Sequence, residues 1–259
     1  MSNSVLDRIV AAHRRAAADD TRTLDELGRA ALAAGPVRPF RAPLTAPGVA
    51  VIAEIKRRSP SKGDLAPDLM PAALAEAYAD GGADCLSVLT DVEFFGGSAD
   101  DLIEARGACE LPVLRKDFTV SEADVYEARA MGADAVLLIV AALSQAELTA
   151  TRMLADDLAM AALVEVHDEH ELERALAAGA DLVGVNQRDL RTFAVDVARA
   201  EHLAAAMPPG IVKVAESGIR DAGEVSRLAG CGYDAVLVGE SLVTAPDPAA
   251  AVRMLKGAR

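Results

Sequence analysis

Charged and amide side chains lie at the ends of several of the short apolar runs in this sequence. These side chains belong to Glu54, Lys56, Lys116, Asp117, Glu165, Asn186 and Glu216. Two lysines and several carboxylates in one half-buried site would shift one another's pKa values and supply an acid and a base near neutral pH. A single charge of this kind is equally compatible with a structural ion pair. Its repetition on several runs favours a shared catalytic site.

The spacing of Glu54 and Lys56 indicates where their side chains point. Glu54 and Lys56 are two residues apart, so on a β-strand both face the same side. Ile55 between them is apolar and is expected to face a layer of helices. This pattern predicts that one carboxylate and one ammonium group project together from the end of the first strand.

A second group of residues is suited to holding phosphate. Gly218 follows the seventh apolar run, Gly239 follows the eighth, and Ser241 comes two residues later. Glycine lets backbone N–H groups approach an anion, and a serine hydroxyl adds another donor. The stretch 56–63 (KRRSPSKG) after the first run adds cations and the hydroxyl of Ser59. Plain turn glycines and a solvated basic loop are the alternative interpretation.

The apolar runs that carry these residues are predicted to be buried parallel strands. There are eight of them, at 49–56, 85–90, 113–117, 135–140, 162–166, 182–186, 212–216 and 235–239. Helical patterns lie between them, including those at 72–79, 122–131, 145–158, 169–178, 197–206 and 222–228. A Gly-x-Asp motif recurs at 82–84, 132–134, 179–181 and 232–234. Its spacing of roughly 50 residues equals the length of two strand–helix units.

Strict alternation of strands and helices predicts right-handed crossovers and one parallel sheet. Eight such units predict an α/β fold, a closed (β/α)8 TIM barrel, in which catalysis takes place where the strands end. Barrel interiors are filled in layers by alternate strands. The odd-numbered strands are therefore expected to bring together Lys56, Lys116, Glu165 and Glu216. A doubly wound sheet is the structural alternative, but no GxGxxG turn follows the first strand.

The segment before the first strand is predicted to be an added part of the same single domain. Residues 1–20 follow a helical pattern, and Pro36, Pro39, Pro43 and Pro47 mark an irregular linker. We therefore expect an N-terminal helical extension and linker at 1–47 and the barrel at 48–259. No change in composition marks a second domain.

The composition excludes several classes of protein. The 259 residues are 52% hydrophobic, enough for a large core, and carry a formal net charge of −14. Such an acidic chain is poorly suited to nucleic acid as its main partner. The three cysteines are odd in number and lack a CxxC pair, so reduced thiols are expected.

The sequence predicts neither a metal site nor a membrane partner. The four histidines, His13, His167, His170 and His202, are scattered and show no zinc-ligand spacing. No stretch resembles a signal peptide or reaches the length of a membrane span. We therefore expect a cytoplasmic protein.

Seven segments, in order along the chain, are similar to those of the indole-3-glycerol-phosphate synthase family. They are 53–61 (AEIKRRSPS), 93–98 (EFFGGS), 114–118 (LRKDF), 163–167 (LVEVH), 184–190 (GVNQRDL), 214–219 (VAESGI) and 238–242 (VGESL). They lie on or after seven of the eight predicted strands, in order, so the set is specific where any single segment is not. Gln187 and Glu240 lie at positions that we regard as variable.

The resemblance implies a (β/α)8 lyase of tryptophan biosynthesis that needs no cofactor or metal. Its substrate would be 1-(2-carboxyphenylamino)-1-deoxyribulose 5-phosphate, a small phosphorylated molecule. An aryl carbon attacks the ribulose carbonyl, carbon dioxide leaves and water is lost, which gives indole-3-glycerol phosphate. Decarboxylation restores the aromatic ring, which explains why no cofactor is required.

The resemblance also implies catalytic roles for matching residues. Lys116 would be the general acid at the carbonyl, if burial and neighbouring positive charge lower its pKa. Glu165 would be the general base or would stabilise the cationic intermediate. Lys56 would hold the substrate carboxylate and share the proton transfers of the dehydration with Glu54.

Other matching residues would bind or orient the substrate. The substrate hydroxyls and the two lysines would be oriented by Asn186, Glu216 and Ser217. The phosphate would be bound by Ser59, Gly218, Gly239 and Ser241. The aryl ring would lie in an apolar slot formed by Phe95, Phe118 and Leu190, with Arg188 assisting at the carboxylate.

Two other functions fit these residues less well. A phosphoribosyl anthranilate isomerase would need a Cys–Asp acid–base pair at strand ends, which the three cysteines do not supply, and the two lysines would go unexplained. A barrel kept as a binding module or scaffold predicts loss of the charged strand ends, and these are present. A monomer is expected rather than a stable oligomer.

Overall fold

The computed structural model describes residues 4–189 and 192–257 and contains eight parallel strands that close into a barrel. In chain order the strands are β1 Ala50–Ile55, β2 Cys85–Leu89, β3 Val113–Lys116, β4 Ala135–Ile139, β5 Ala161–Val166, β6 Leu182–Asn186, β7 Val212–Glu216 and β8 Ala235–Val238. Each strand pairs with the next, and β8 pairs with β1, where Ala235 lies opposite Ala50. This closure confirms the (β/α)8 barrel and excludes the open doubly wound sheet. The predicted strands agree within one residue at each end.

Helices surround the barrel and precede it. They are α1 Val5–Asp19, α2 Leu24–Ala33, α3 Arg41–Leu44, α4 Pro71–Asp80, α5 Val92–Phe95, α6 Ala99–Ala108, α7 Glu122–Ala130, α8 Gln145–Asp157, α9 Glu169–Ala177, α10 Val197–Ala206, α11 Ala222–Gly230, α12 Glu240–Val243 and α13 Pro248–Lys256. A short antiparallel hairpin, Arg58–Ser59 with Gly63–Asp64, lies in the loop after β1. Among the described residues, no helix is long and apolar enough to cross a lipid bilayer.

Helix α6 is absent from the predicted helical patterns. Its N-terminus is capped by Ser98 Oγ, which accepts a hydrogen bond from the backbone N–H of Asp101. Its buried residues are Asp101, Leu102 and Ala105, so its inner face carries an acid and one large apolar side chain. Asp101 is buried because it pairs with the guanidinium group of Arg57 at 2.8 Å. Because an ion pair occupies part of its inner face, α6 lacks the apolar periodicity from which helices are predicted.

The segment before β1 forms three helices, which confirms the N-terminal helical extension and places two of them, α2 and α3, after the expected first helix. Helices α1 and α2 each begin with a capping box, at Ser4 and Thr23. Pro43 lies within α3, whereas the other three prolines before β1 lie outside helices. Helix α2 packs against α7 on the outside of the barrel. The capping box at Thr23 is the sequence signal that could have revealed α2.

The core consists of two apolar layers separated by the strands. Outside the barrel, strand residues such as Val136 and Val185 pack against the helices. Inside it, residues such as Leu114 and Leu163 fill the interior. Phe40, from the segment before β1, is 1% exposed and belongs to this inner layer. The N-terminal segment is therefore packed into the barrel and not merely attached to it.

The recurring Gly-x-Asp motif joins helices to the strands that follow them. All four of its glycines adopt positive φ angles, between +82° and +92°, which end each helix without strain. Backbone N–H groups of neighbouring strands donate to the carboxylates of Asp84, Asp134 and Asp234. The repeat therefore stabilises the barrel at the amino ends of its strands, away from the charged residues at their carboxyl ends.

Candidate active site

The charged residues at the strand ends line one cavity of about 350 Å³ at the carboxyl end of the barrel. The predicted site residues that line it are Glu54, Lys56, Ser59, Phe95, Lys116, Phe118, Glu165, Asn186, Arg188, Glu216, Ser217, Gly218, Gly239 and Ser241. Leu190, the remaining predicted residue, lies outside the described residues. The charged strand ends that the sequence predicted to converge therefore line one cavity.

Lys116 lies between two carboxylates. Its Nζ is 2.8 Å from Glu216 Oε2 and 3.3 Å from Glu165 Oε2. Burial works against the charged form of Lys116, but the charges of Glu216, Glu165 and Glu54 outweigh it and raise its pKa above the usual value. The expectation that neighbouring positive charge lowers this pKa is therefore wrong, because the neighbours are carboxylates.

The two carboxylates beside Lys116 ionise differently. Burial raises the pKa of Glu216 to about 7, against the opposing charge of Lys116. Burial acts on Glu165 too, but the charges of Lys116 and His167 and a hydrogen bond from Asn186 outweigh it and lower the pKa. Asn186 Nδ2 donates to Glu165 Oε1 at 3.1 Å. The site therefore contains one carboxyl group able to hold a proton near neutral pH and one kept ionised.

Glu54 and Lys56 form a second ion pair at the same mouth. Glu54 lies in β1 and is 5% exposed. Lys56 follows the strand directly and points to the same side, as the spacing predicts. Ile55 between them packs in the outer apolar layer. The buried hydroxyl of Tyr78 donates to the Glu54 carbonyl at 3.2 Å, which ties α4 to this part of β1.

Two glycines leave room for these carboxylates. A Cβ built on Gly184 in β6 would overlap Glu216 Oε1, and one on Gly239 after β8 would overlap Glu54 Oε1. Neither glycine has a positive φ, so the requirement is space and not backbone conformation. Sequence reasoning did not single out Gly184, although a glycine inside a predicted strand is a signal of close approach.

The loops after β7 and β8 form the other end of the cavity. Ser217 and Gly218 adopt positive φ angles of +67° and +77°, which is strained for a serine. Gln187 Nε2 supports this turn by donating to the Ser217 carbonyl at 2.7 Å. Ser241 Oγ donates to the carbonyl of Ile219 at 3.1 Å, which joins the two loops.

An apolar wall lies beside the charged groups. The rings of Phe95 and Phe118 lie with their centroids 6.2 Å apart. Helix α1 adds Val5, Leu6 and Ile9, which sequence reasoning missed. Their signal was the apolar face of α1, but a helical pattern does not reveal which surface that face covers.

Arg188 borders the cavity while its side chain is engaged in its own loop. Its backbone N–H donates to Asn186 Oδ1 at 3.0 Å, and its guanidinium group donates to the Phe193 carbonyl at 3.1 Å. The first of these bonds fixes Asn186, which in turn holds Glu165.

The order and placement of these residues agree with one known family. A family model described as indole-3-glycerol phosphate synthase matches residues 6–255. The chain belongs to the indole-3-glycerol phosphate synthase family. The indole-3-glycerol phosphate synthase 2 of Streptomyces coelicolor is 54% identical over 236 residues, 91% of this chain and 92% of that protein. The indole-3-glycerol phosphate synthase of Mycolicibacterium smegmatis is 50% identical over 253 residues, 97% of this chain and 93% of that protein.

Membership of the indole-3-glycerol phosphate synthase family makes the chain a decarboxylating carbon–carbon lyase of tryptophan biosynthesis. It converts 1-(2-carboxyphenylamino)-1-deoxyribulose 5-phosphate to indole-3-glycerol phosphate. A solved thiamine phosphate pyrophosphorylase of Pyrococcus furiosus has a TM-score of 0.61 and 16% identity, covering 81% of this chain and 94% of that one. That likeness supports the barrel fold alone.

In this member of the indole-3-glycerol phosphate synthase family, one cluster beside the cavity was not expected. His13 Nε2 of α1 is 2.9 Å from Asp91 Oδ2 and 3.7 Å from Asp117 Oδ1. The three side chains have the spacing of metal ligands. The other oxygen of Asp117 accepts from Arg115, and the other oxygen of Asp91 accepts from two backbone N–H groups. The pair of His13 with Asp91 joins α1 to the mouth of the barrel.

Proposed function

We propose that Lys116 is the general acid of the ring closure and that the cavity around it binds the substrate. The observation that carries this proposal is the position of Lys116 Nζ between Glu165 and Glu216. Because its pKa is raised, Lys116 holds its proton throughout the neutral range. The ketone oxygen gains negative charge as the aryl carbon attacks, and this developing charge draws the proton from Lys116.

Glu165 acts on the cationic stages of the reaction. Attack by the aryl carbon leaves positive charge on the anilino nitrogen, which the ionised Glu165 stabilises until carbon dioxide leaves and aromaticity returns. In the dehydration, the new hydroxyl leaves as water with a proton from Lys56. Glu165 accepts the proton that the adjacent carbon gives up. Glu54, paired with Lys56, shares that proton transfer.

Asn186, Glu216 and Ser217 orient the reacting groups. Asn186 holds the Glu165 carboxylate, and Glu216 holds the Lys116 ammonium group. Ser217 lies on the strained turn after β7, next to the loops that receive the phosphate.

The rest of the cavity matches the two ends of the substrate. Phosphate lies against Ser59, Gly218, Gly239 and Ser241, and the substrate carboxylate lies near Lys56 and Arg188. The aryl ring lies against Phe95, Phe118 and the apolar face of α1, with Leu190 retained as a proposed contact. A flat ring and a tethered anion at opposite ends place the ketone beside Lys116.

The proposal includes the conditions under which the enzyme works. The reaction needs no metal or cofactor, because decarboxylation restores the aromatic ring. The net charge of −14 disfavours nucleic acid as a partner. We further propose that the protein is cytoplasmic, has no membrane partner and acts as a monomer.

The test is a fluorescence assay of indole product for the wild type and Lys116→Met. We expect Lys116→Met to lower kcat at least about 100-fold, the scale of a lost general acid. Lys213→Met is the matched control: Lys213 also lies on a barrel strand, but its Nζ donates to the Ala204 carbonyl. Unchanged turnover in Lys116→Met would refute the assigned acid. Loss of activity on adding a chelator would refute the metal-free mechanism.

A further inference from the structure

A histidine and a glutamate lie behind Glu165. His167 follows β5 directly, and its Nδ1 is 2.9 Å from Glu171 Oε2 in α9. The same carboxylate oxygen accepts the backbone N–H of His167 at 2.8 Å. His167 Nε2 lies 3.5 Å from Glu165 Oε1. Lys116 lies at the other oxygen, Oε2, so Glu165 is placed between two basic groups.

His167 reaches the reaction only through Glu165. Its side chain is 13% exposed, and it is not among the described residues that line the cavity. Its Nε2 is buried and forms no hydrogen bond with any described residue. A buried polar atom without a partner is costly unless charge compensates it. The nearby carboxylate of Glu165 supplies that compensation.

The hydrogen bond to Glu171 indicates which form of the ring fits the site. With Nδ1–H donated to Glu171, Nε2 carries either a lone pair or a proton toward Glu165, and only the protonated form attracts a carboxylate. The charged groups around the ring are Glu165 on β5, Glu171 on α9 and Arg199 on α10. Burial and Arg199 oppose the charge, but the two glutamates outweigh them and raise the pKa of His167.

We propose that His167 is a positioning residue, an imidazolium anchored on Glu171 that keeps Glu165 ionised and oriented during the reaction. The inference rests on the proposed role of Glu165. When Lys116 gives its proton to the substrate, it loses the charge that stabilises the buried Glu165 carboxylate. His167 then remains as the positive group beside Glu165, so the carboxylate stays available for the proton of the dehydration step.

The first test compares His167→Gln and His167→Asn with His170→Gln. His170 lies on α9 beside Glu171 but is exposed, so its variant controls for loss of a histidine. We expect both His167 variants to lower kcat about tenfold with KM changed less than about twofold, because the lost effect is on the transition state. Removing a positive neighbour raises the pKa of Glu165, so the acidic limb of the kcat–pH profile moves to higher pH. An unmoved limb would overturn the proposal.

The second test measures the ionisation of His167 directly and leaves His167 in place. In protein labelled at histidine, the His167 ring is titrated by NMR in the wild type and in Glu165→Gln. Loss of the carboxylate charge should lower the pKa of His167, and an unchanged value would overturn the pairing. Full turnover in Glu165→Gln would instead refute the proposed role of Glu165 and, with it, the positioning role of His167.

Discussion

Glu165 and Glu216 lie beside the same ammonium group, yet their pKa values shift in opposite directions. Both carboxylates are buried, so burial does not distinguish them. Asn186 donates to Glu165, and His167 lies close to it, whereas Glu216 Oε1 has no hydrogen bond partner among the described residues. At the scale of single residues, the neighbours therefore decide which carboxylate stays ionised.

The pairing of Glu216 with Lys116 requires the space left by Gly184, and this requirement can be tested. A Cβ at Gly184 would overlap Glu216 Oε1. We expect Gly184→Ala to displace Glu216 from Lys116 and to lower kcat at least about tenfold, since an ammonium group without its partner is misplaced for proton transfer. The measurement is kcat by indole fluorescence, with thermal unfolding to check that the variant is folded.

Gly230→Ala is the matched control for that substitution. Gly230 ends α11, and a Cβ there meets nothing within 4 Å. This variant should keep kcat and gain up to about 1 kcal/mol of stability, because alanine is favoured over glycine in a helix. Full activity in Gly184→Ala would show that Glu216 is not needed where the structure places it.

At the scale of secondary structure, the first helix completes a site otherwise made by strand ends. Helix α1 contributes Val5, Leu6 and Ile9 to the cavity, and His13 attaches it to Asp91 at the mouth. The ring of His13 also lies 5.5 Å from that of Phe118, centroid to centroid. One ion pair and one apolar face thus hold α1 against the cavity.

Attachment of α1 should weaken as the pH rises. Burial opposes the charge of His13, but the hydrogen bond to Asp91 and the charges of Asp117, Asp91 and Asp124 raise its pKa above the usual 6.5. A group whose pKa is raised by folding stabilises the contact below its unfolded pKa, and the stabilisation is lost as the pH rises through the folded value. Hydrogen-exchange protection factors of α1 should therefore fall as the pH rises above the ordinary histidine pKa of about 6.5.

Two variants separate this effect from general changes with pH. In His13→Gln the protection factors of α1 should be low and independent of pH over the same range. His202→Gln removes an exposed histidine that pairs with Glu169 on the outer surface, so it should behave as the wild type. If α1 in the wild type keeps its protection through this range, His13 does not hold it by charge.

At the scale of the whole molecule, the surface favours a monomer over a stable oligomer. The largest exposed apolar side chains lie on different helices and loops and include Leu32, Met70, Ile103, Met153 and Met254. The net charge of −14 adds repulsion between copies.

We therefore expect one species of 26.8 kDa by sedimentation equilibrium at all accessible protein concentrations. Mutual repulsion is screened by salt, so the comparison is made at low and high ionic strength. A heavier species that increases with protein concentration in both buffers would contradict the proposed monomer.

Much of the barrel was predictable because its strands follow local rules. Parallel strands covered on both faces require short apolar runs, and glycines end the helices between them. The positions of Glu54, Lys116 and Glu165 follow as well, since charge on a buried strand is accepted mainly where the strand ends. Helix α6 escaped prediction because its inner face depends on the distant ion pair of Asp101 with Arg57. The division at residues 47 and 48 within a single domain stays a prediction.

The partners of these charges depend on segments far apart in the chain. His13 meets Asp91, and Lys116 meets Glu216, across 78 and 100 residues. Electrostatic energies depend on distance and on burial, and neither is encoded by residue type or spacing along the chain. The pattern of residues therefore specified the barrel and the types of residue at its mouth. Folding alone settled that the Lys116 pKa rises, that Glu165 stays ionised and that α1 covers the site, because each results from contacts between remote segments.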